Sequence, residues 1–207
     1  MKKCNKFYLS GIGVFVLFVL WSILVLNGIF KTFDYQVFDF IRHYLMNDCL
    51  TVCFKIITFF GSATFLISSV FLILIFFKNK WVGVVLGFNS FLAALLNLIL
   101  KNIFVVLRPD ISALIEETGY SYPSGHAMAS FAFYGLIIYL VCKKMRTCIW
   151  KKVLIIVLGL LIVLIGFSRI YLGVHHFSDI IGAYFISFSY LLFYIQFIKK
   201  MGVEKLL

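Results

Sequence analysis

The sequence predicts an all-α, polytopic membrane protein with six transmembrane helices and a functional site at the external ends of spans three to six. Three observations carry this. Hydrophobic residues make up 63% of the 207 and charged residues only 13%, against about 25% charged in a soluble domain. The apolar residues come in continuous runs, not in the every-second-residue alternation of an outer-membrane barrel strand. The basic residues are sorted between successive connections, which sets an orientation.

A helical span needs about 20 apolar residues. Six stretches come near this, the fourth and fifth being short: 8–29, 54–77, 81–106, 127–142, 152–168 and 179–197. The first resembles a signal peptide in its basic start. Its apolar run is too long for the 7–15 residues of such a segment and no A-x-A site follows, so it reads as a retained span. Segment 30–53 mixes Phe33, Val37, Phe40, Ile41 and Tyr44 with Asp34, Asp39, Arg42 and His43. That pattern predicts an amphipathic helix lying on the outer leaflet, as a connector or a substrate-shaping element. No internal repeat, low-complexity tract or linker interrupts the chain, so residues 1–207 are expected to form a single integral-membrane domain.

Charge placement orients these spans. Lys2, Lys3, Lys6, Lys78, Lys80, Lys143, Lys144, Arg146, Lys151, Lys152, Lys199, Lys200 and Lys205 fall on one side, 13 of the 19 basic residues. Lys31, Arg42, Lys55, Lys101, Arg108 and Arg169 fall on the other. The positive-inside rule makes the first side cytoplasmic, so both termini are expected on the cytoplasmic side of a cell membrane. The net charge of +11 is thus a topology signal and gives no reason to expect nucleic acid. Cys4, Cys49, Cys53, Cys142 and Cys148 show no metal-type spacing and read as packing residues, with Cys4 a weak lipidation candidate beside Lys2 and Lys3.

Three polar islands interrupt this apolar chain, and the topology puts all of them on the external face. In the first, Lys101 and Arg108 are seven apart, so a helix continued past the lipid aligns them about 10 Å apart along one face. Pro109 then ends that helix. Two cations snorkelling to headgroups is an equally good reading of this island alone. In the second, Pro123-Ser124-Gly125-His126 opens an apolar helix. Ser124 suits its cap, and Gly125 lets an anion approach free N–H groups. A plain cap leaves His126 unexplained.

In the third island, His175 and Asp179 are four apart and face the same way on a helix. Asp179 can then hold one imidazole nitrogen and leave the other as a nucleophile. Arg169 adds a forked donor for phosphate oxygens. His176 reads as a packed or interfacial histidine. Together the islands offer three cations, an anion cradle, two histidines and one orienting carboxylate, with no carboxylate set suited to a divalent metal. The inventory suits metal-independent phosphoryl transfer with no cofactor.

The motifs Lys101-x6-Arg108-Pro109, Pro123-Ser124-Gly125-His126 and Ser168-Arg169-x5-His175-x3-Asp179 resemble the three-part signature of the type 2 phosphatidic acid phosphatase superfamily. They fill every signature position in order, across about 80 residues from Lys101 to Asp179. The short six-span form is similar to the bacterial phosphatidylglycerophosphatase B and undecaprenyl diphosphate phosphatase group. The resemblance implies that His175 attacks phosphorus to form a phosphohistidine and that Asp179 orients it. It implies that His126 protonates the leaving oxygen and then activates water. Lys101, Arg108, Ser124, Gly125 and Arg169 would hold the phosphoryl group.

The expected activity is hydrolysis of a lipid phosphomonoester or diphosphate at the outer leaflet. Undecaprenyl diphosphate, phosphatidylglycerophosphate and phosphatidate all remain open as substrates. The alternatives are a non-catalytic anionic-lipid-binding protein and a transporter of a phosphate compound. Residue spacing selects no headgroup and no oligomeric state, and leaves residues 110–122 as either a lid or a solvated loop.

Overall fold

The computed structural model describes residues 6–206; Lys2, Lys3 and Cys4 lie outside the described residues. Eight helices follow in order: α1 Lys6–Leu26, α2 Lys31–Tyr44, α3 Asp48–Phe59, α4 Ala63–Phe76, α5 Lys80–Phe104, α6 Gly125–Lys144, α7 Ile149–Tyr171 and α8 Phe177–Lys200. A short 3₁₀ turn, Val203–Lys205, closes the chain. There is no β-strand among the described residues. α1, α5, α6, α7 and α8 are each long and apolar enough to cross a membrane. Their outer faces are apolar where lipid replaces water, with Phe15, Phe91 and Trp150 all exposed.

The remaining span departs from expectation. In place of one continuous helix over 54–77, α3 and α4 meet at a 49° bend. The break has local causes. A Cβ on Gly61 would stand 2.6 Å from Ile165 Cγ2 on α7, so only glycine allows this approach. The Ser62 hydroxyl accepts from Phe65 N–H at 3.2 Å and restarts the helix. The Tyr134 hydroxyl donates to the freed Phe60 carbonyl at 2.7 Å, which an apolar environment demands of an open backbone group. The broken span also begins earlier than expected, because the Asn47 side chain accepts from Leu50 N–H at 2.9 Å and caps α3 there.

α2 matches the amphipathic helix expected within 30–53, shortened to Lys31–Tyr44. Asp34, Phe38 and Ile41 are buried at helical spacing, whereas Phe33, Phe40 and Tyr44 are exposed. α8 is the central helix. Ser189 donates to Gly11 O on α1 at 2.8 Å, and Tyr184 donates to Ile162 O on α7 at 2.8 Å. Near its N-terminal end, Tyr122 lies on Gly182, where a Cβ would come within 2.3 Å of the phenol oxygen. Tyr122 also bonds Ser22 of α1 at 2.8 Å. This buried wedge seats the segment before α6 directly over α8.

Candidate active site

The first island ends differently from expectation. α5 stops at Phe104, and Val105 takes a left-handed conformation with φ 53°. Pro109 therefore does not terminate the helix, and Lys101 and Arg108 do not share a helical face. Arg108 reaches the site from the connection that follows α5. Its Nε donates to Gly119 O at 3.1 Å, Nη2 to Thr118 O at 2.9 Å and Nη1 to Val174 O at 2.8 Å. Nη1 also lies 3.4 Å from His175 Nε2. Lys101 donates to Tyr120 O at 2.5 Å. Both cations thus hold the 107–124 connection and face the third island.

In the second island, Ser124 occupies the cap position of α6 by backbone conformation, but its side chain makes no capping bond. The expected side-chain cap is absent; Ser124 Oγ is buried and without a partner. Asn97 fixes the approach, donating from Nδ2 to Pro123 O at 3.0 Å. Ser124 N–H reaches Asp179 O at 3.5 Å, tying α6 to α8. His126 sits in the first turn of α6, within the electrostatic reach of Arg169, Glu117, His175 and Lys101.

The third island carries the tightest geometry. His175 precedes α8 rather than lying on it, because α8 begins at Phe177. It still meets Asp179, with Nδ1 3.3 Å from Oδ2. That oxygen also accepts from His176 N–H at 2.8 Å and from the Ser121 hydroxyl. Ser121 Oγ is 3.2 Å from His175 Nδ1. A carboxylate accepts only, so Nδ1 carries the imidazole proton and Nε2, beside Arg108, presents a lone pair. Burial pushes His175 down to about 4, against the opposing pull of Asp179, so the ring is neutral at pH 7. Burial acts downward on His176 too, but its hydrogen bond and charge interaction with Asp179 outweigh that and raise it. His176 keeps a side-chain exposure of 19% and stands 3.5 Å from Asp179.

Arg169 is 1% exposed. Its Nη1 donates to Thr58 Oγ1 at 2.7 Å, Nη2 pairs with Glu117, and Nε has no partner. Glu117 Oε2 also lies 3.7 Å from Arg108 Nη2. Burial works to raise the Glu117 carboxyl, but the Arg169 charge and hydrogen bond outweigh it and hold the group below its usual range. From segment 110–122, Glu117 and Ser121 both enter the site.

The residues expected from the sequence gather in one cluster at one end of the helices, and four further residues contribute to it. Ser121, Glu117 and Thr58 have no distinguishing local pattern; only Ser121's place two residues before Pro123 is a usable signal. Asp34 of α2 accepts from Ser178 N–H at 2.9 Å and from Ser178 Oγ–H at 2.6 Å. It thereby holds the first turn of α8, where Asp179 sits.

Beside His126 a cavity of about 420 Å³ opens between α4, α5 and α6. Leu66, Ile67, Val70, Phe71 and Phe91 line it, with His126 and Gly125 at one end. A space of this volume is of ligand size. The cluster and the cavity meet at His126.

Comparison with known proteins finds relatives both by sequence and by structure. Residues 81–202 match the PAP2 superfamily. The chain is 33% identical over 159 residues to phosphatidylglycerophosphatase B of Bacillus subtilis (strain 168), covering 75% of each chain. It is 31% identical over 121 residues to an undecaprenyl-diphosphatase of Sulfolobus acidocaldarius, covering 56% of this chain and 54% of the relative. The crystal structure of a transmembrane PAP2-type phosphatidylglycerolphosphate phosphatase from Bacillus subtilis superposes with a TM-score of 0.83 at 26% identity, covering 92% of this chain and 96% of that one. Aquifex aeolicus LpxE shares the fold, with a TM-score of 0.59 at 23% identity over 78% of this chain and 94% of that one. With its three polar islands drawn into one cluster on an apolar helical frame, the chain is a multi-pass membrane phosphatase belonging to the PAP2 superfamily.

Proposed function

We propose that the protein hydrolyses lipid phosphates at the outer leaflet without a metal, through a phosphohistidine. The observation that carries this is the state of His175: buried, neutral, held at Nδ1 by Asp179 and open at Nε2 beside Arg108. A neutral imidazole fixed in one tautomer is a ready nucleophile.

In the first step Nε2 of His175 bonds to phosphorus as the phosphorus–oxygen bond to the lipid breaks. His126 gives its proton to the departing oxygen. In the second step His126 takes a proton from water, whose oxygen bonds to phosphorus as the nitrogen–phosphorus bond breaks. Free phosphate and the resting histidines result. Asp179 orients His175 throughout and stabilises the positive charge the ring acquires.

Lys101, Arg108 and Arg169 supply positive charge for the equatorial oxygens, where this chemistry gains most of its rate. Arg169 Nε and Ser124 Oγ, both buried without partners, fit as donors to those oxygens, joined by the Gly125 amide at the helix start. A buried donor left unsatisfied is costly unless something comes to meet it. Glu117 occupies the guanidinium of Arg169 in the meantime, as a carboxylate standing where a phosphate oxygen would go.

The distribution of basic residues supports a cytoplasmic location for both termini and an external one for the site. The apolar cavity at His126 supports entry of the lipid sideways from the bilayer. Undecaprenyl diphosphate, phosphatidylglycerophosphate and phosphatidate all carry a phosphate that this cluster would hold, with surrounding membrane lipids as the other partners.

The test is phosphate release from these lipids by purified protein in EDTA, with and without vanadate. Release in EDTA that vanadate suppresses is expected. A strict magnesium requirement, or no release from any of them, overturns the reading.

A further inference from the structure

We propose that the site takes lipid phosphomonoesters, whose leaving group is an uncharged alcohol, in preference to lipid diphosphates, because an apolar cavity without a cation receives the leaving group at His126. The inference rests on the reading above, in which His126 serves the departing oxygen.

The two flanks of His126 carry opposite chemistry. On one, Lys101, Arg108 and Arg169 surround the place of the transferred phosphoryl group. On the other, the cavity is lined by glycine, alanine and large apolar residues, with no lysine, arginine, aspartate or glutamate among its described residues. Apart from His126, its polar side chains are Ser90 and Asn97. Asn97 lies on α5 next to Gly125, with its Oδ1 3.1 Å from where a Cβ on that glycine would stand. Ser90 lies two helical turns further along α5, about 10 Å deeper by the helical rise, and its hydroxyl is buried without a partner.

This wall suits an alcohol. When a monoester breaks, the proton of His126 leaves a neutral hydroxyl. Asn97 can hydrogen-bond that hydroxyl or a neighbouring glycerol oxygen, while the chains lie against Leu66, Val70 and Phe71. When a diphosphate breaks, the bridging oxygen departs as part of a second phosphate. That group retains negative charge at the mouth of an apolar cavity, with every clamp cation committed to the other phosphate. An unpaired charge beside hydrocarbon is disfavoured. Intrinsic reactivity runs the other way, since a phosphate is the weaker base and the better leaving group. A monoester preference therefore has to come from the protein.

Phosphatidate and diacylglycerol diphosphate share one anchor and differ only in the second phosphate. We expect kcat/KM to be about tenfold or more higher for phosphatidate in the same detergent micelles. Equal rates, or a diphosphate preference, overturn this inference and leave the phosphatase reading intact. Hydrolysis of neither substrate overturns the phosphatase reading itself.

Ala94, one turn from Asn97 on the same wall, provides the second arm. Ala94→Lys places a cation there and is expected to narrow the gap by raising diphosphate turnover relative to monoester. Ala94→Met, similar in length and uncharged, is expected to affect both substrates alike. A gap unchanged by a folded Ala94→Lys overturns the charge explanation; if that variant does not fold, the wild-type comparison decides alone.

Discussion

The two histidines at the centre of this protein sit in opposite surroundings. His175 is enclosed by hydrogen-bonding groups: Asp179 and Ser121 at Nδ1 and Arg108 near Nε2. Behind that shell, Asp34 grips Ser178 and the Trp21 indole donates to Ser178 O at 3.0 Å. His126 instead faces an apolar cavity between three helices. The difference teaches how one site handles two unlike halves of a substrate. Under the proposed mechanism the attacking side must hold one tautomer and one angle, which a polar shell provides. The leaving side must accept hydrocarbon from the bilayer, which needs room and no charge.

The largest break in this contrast is removal of the proposed nucleophile. His175→Ala is expected to lower kcat by on the order of 10⁴-fold or more, whereas His176→Ala, whose partly exposed side chain flanks Asp179, is expected to retain most turnover. Phosphate release from a lipid phosphomonoester measures both, and equal losses would reassign the nucleophile. Next comes the shell. Ser121→Ala leaves Asp179 and His175 in place but removes the hydroxyl between them, and a drop in kcat of about tenfold with KM unchanged is expected.

The opposite flank is tested by filling it. A Cβ on Gly87 would stand 3.1 Å from Val70 Cγ1, so Gly87→Leu pushes α4 from α5 or blocks the cavity. A several-fold rise in KM for long-chain lipid phosphates is expected, with short-chain soluble analogues little affected; equal effects on both would show that lipid does not use this cleft. The smallest effect concerns pH. His175 is held near 4 against an ordinary value of 6.5, so between these values the unfolded chain binds the proton and the folded one does not. Its contribution to stability is complete above about 6.5 and is lost as pH falls toward about 4. Thermal unfolding in detergent should show Tm declining over that window, and His175→Gln should flatten the decline.

Much of this molecule is legible in the chain. Span composition identifies the helical membrane class, and basic residues in short connections propose an orientation. The three islands name Lys101, Arg108, Ser124, Gly125, His126, Arg169, His175 and Asp179, and the structure gathers them all. What the sequence reading misplaced was backbone geometry. Seven-residue spacing implies a shared helical face for Lys101 and Arg108, yet α5 ends between them at a left-handed Val105. A four-residue spacing implies that His175 and Asp179 share a helix, yet His175 precedes α8 and reaches Asp179 across its first turn. The pairings survive because long side chains span errors of a few ångströms that backbone expectations do not forgive.

Hydrophobicity and charge type act residue by residue, so composition alone determined that this chain enters a membrane as helices and which side chains are too costly to be there without purpose. Contacts between residues far apart in the chain have no local signature. Only the tertiary structure decided that Gly61 meets Ile165 and breaks a span, that Glu117 pairs with Arg169, that Asp34 latches Ser178 across 144 positions, and that one flank of His126 is polar while the other is bare. Packing fixes those relations because a buried polar group must find a partner wherever the fold supplies one.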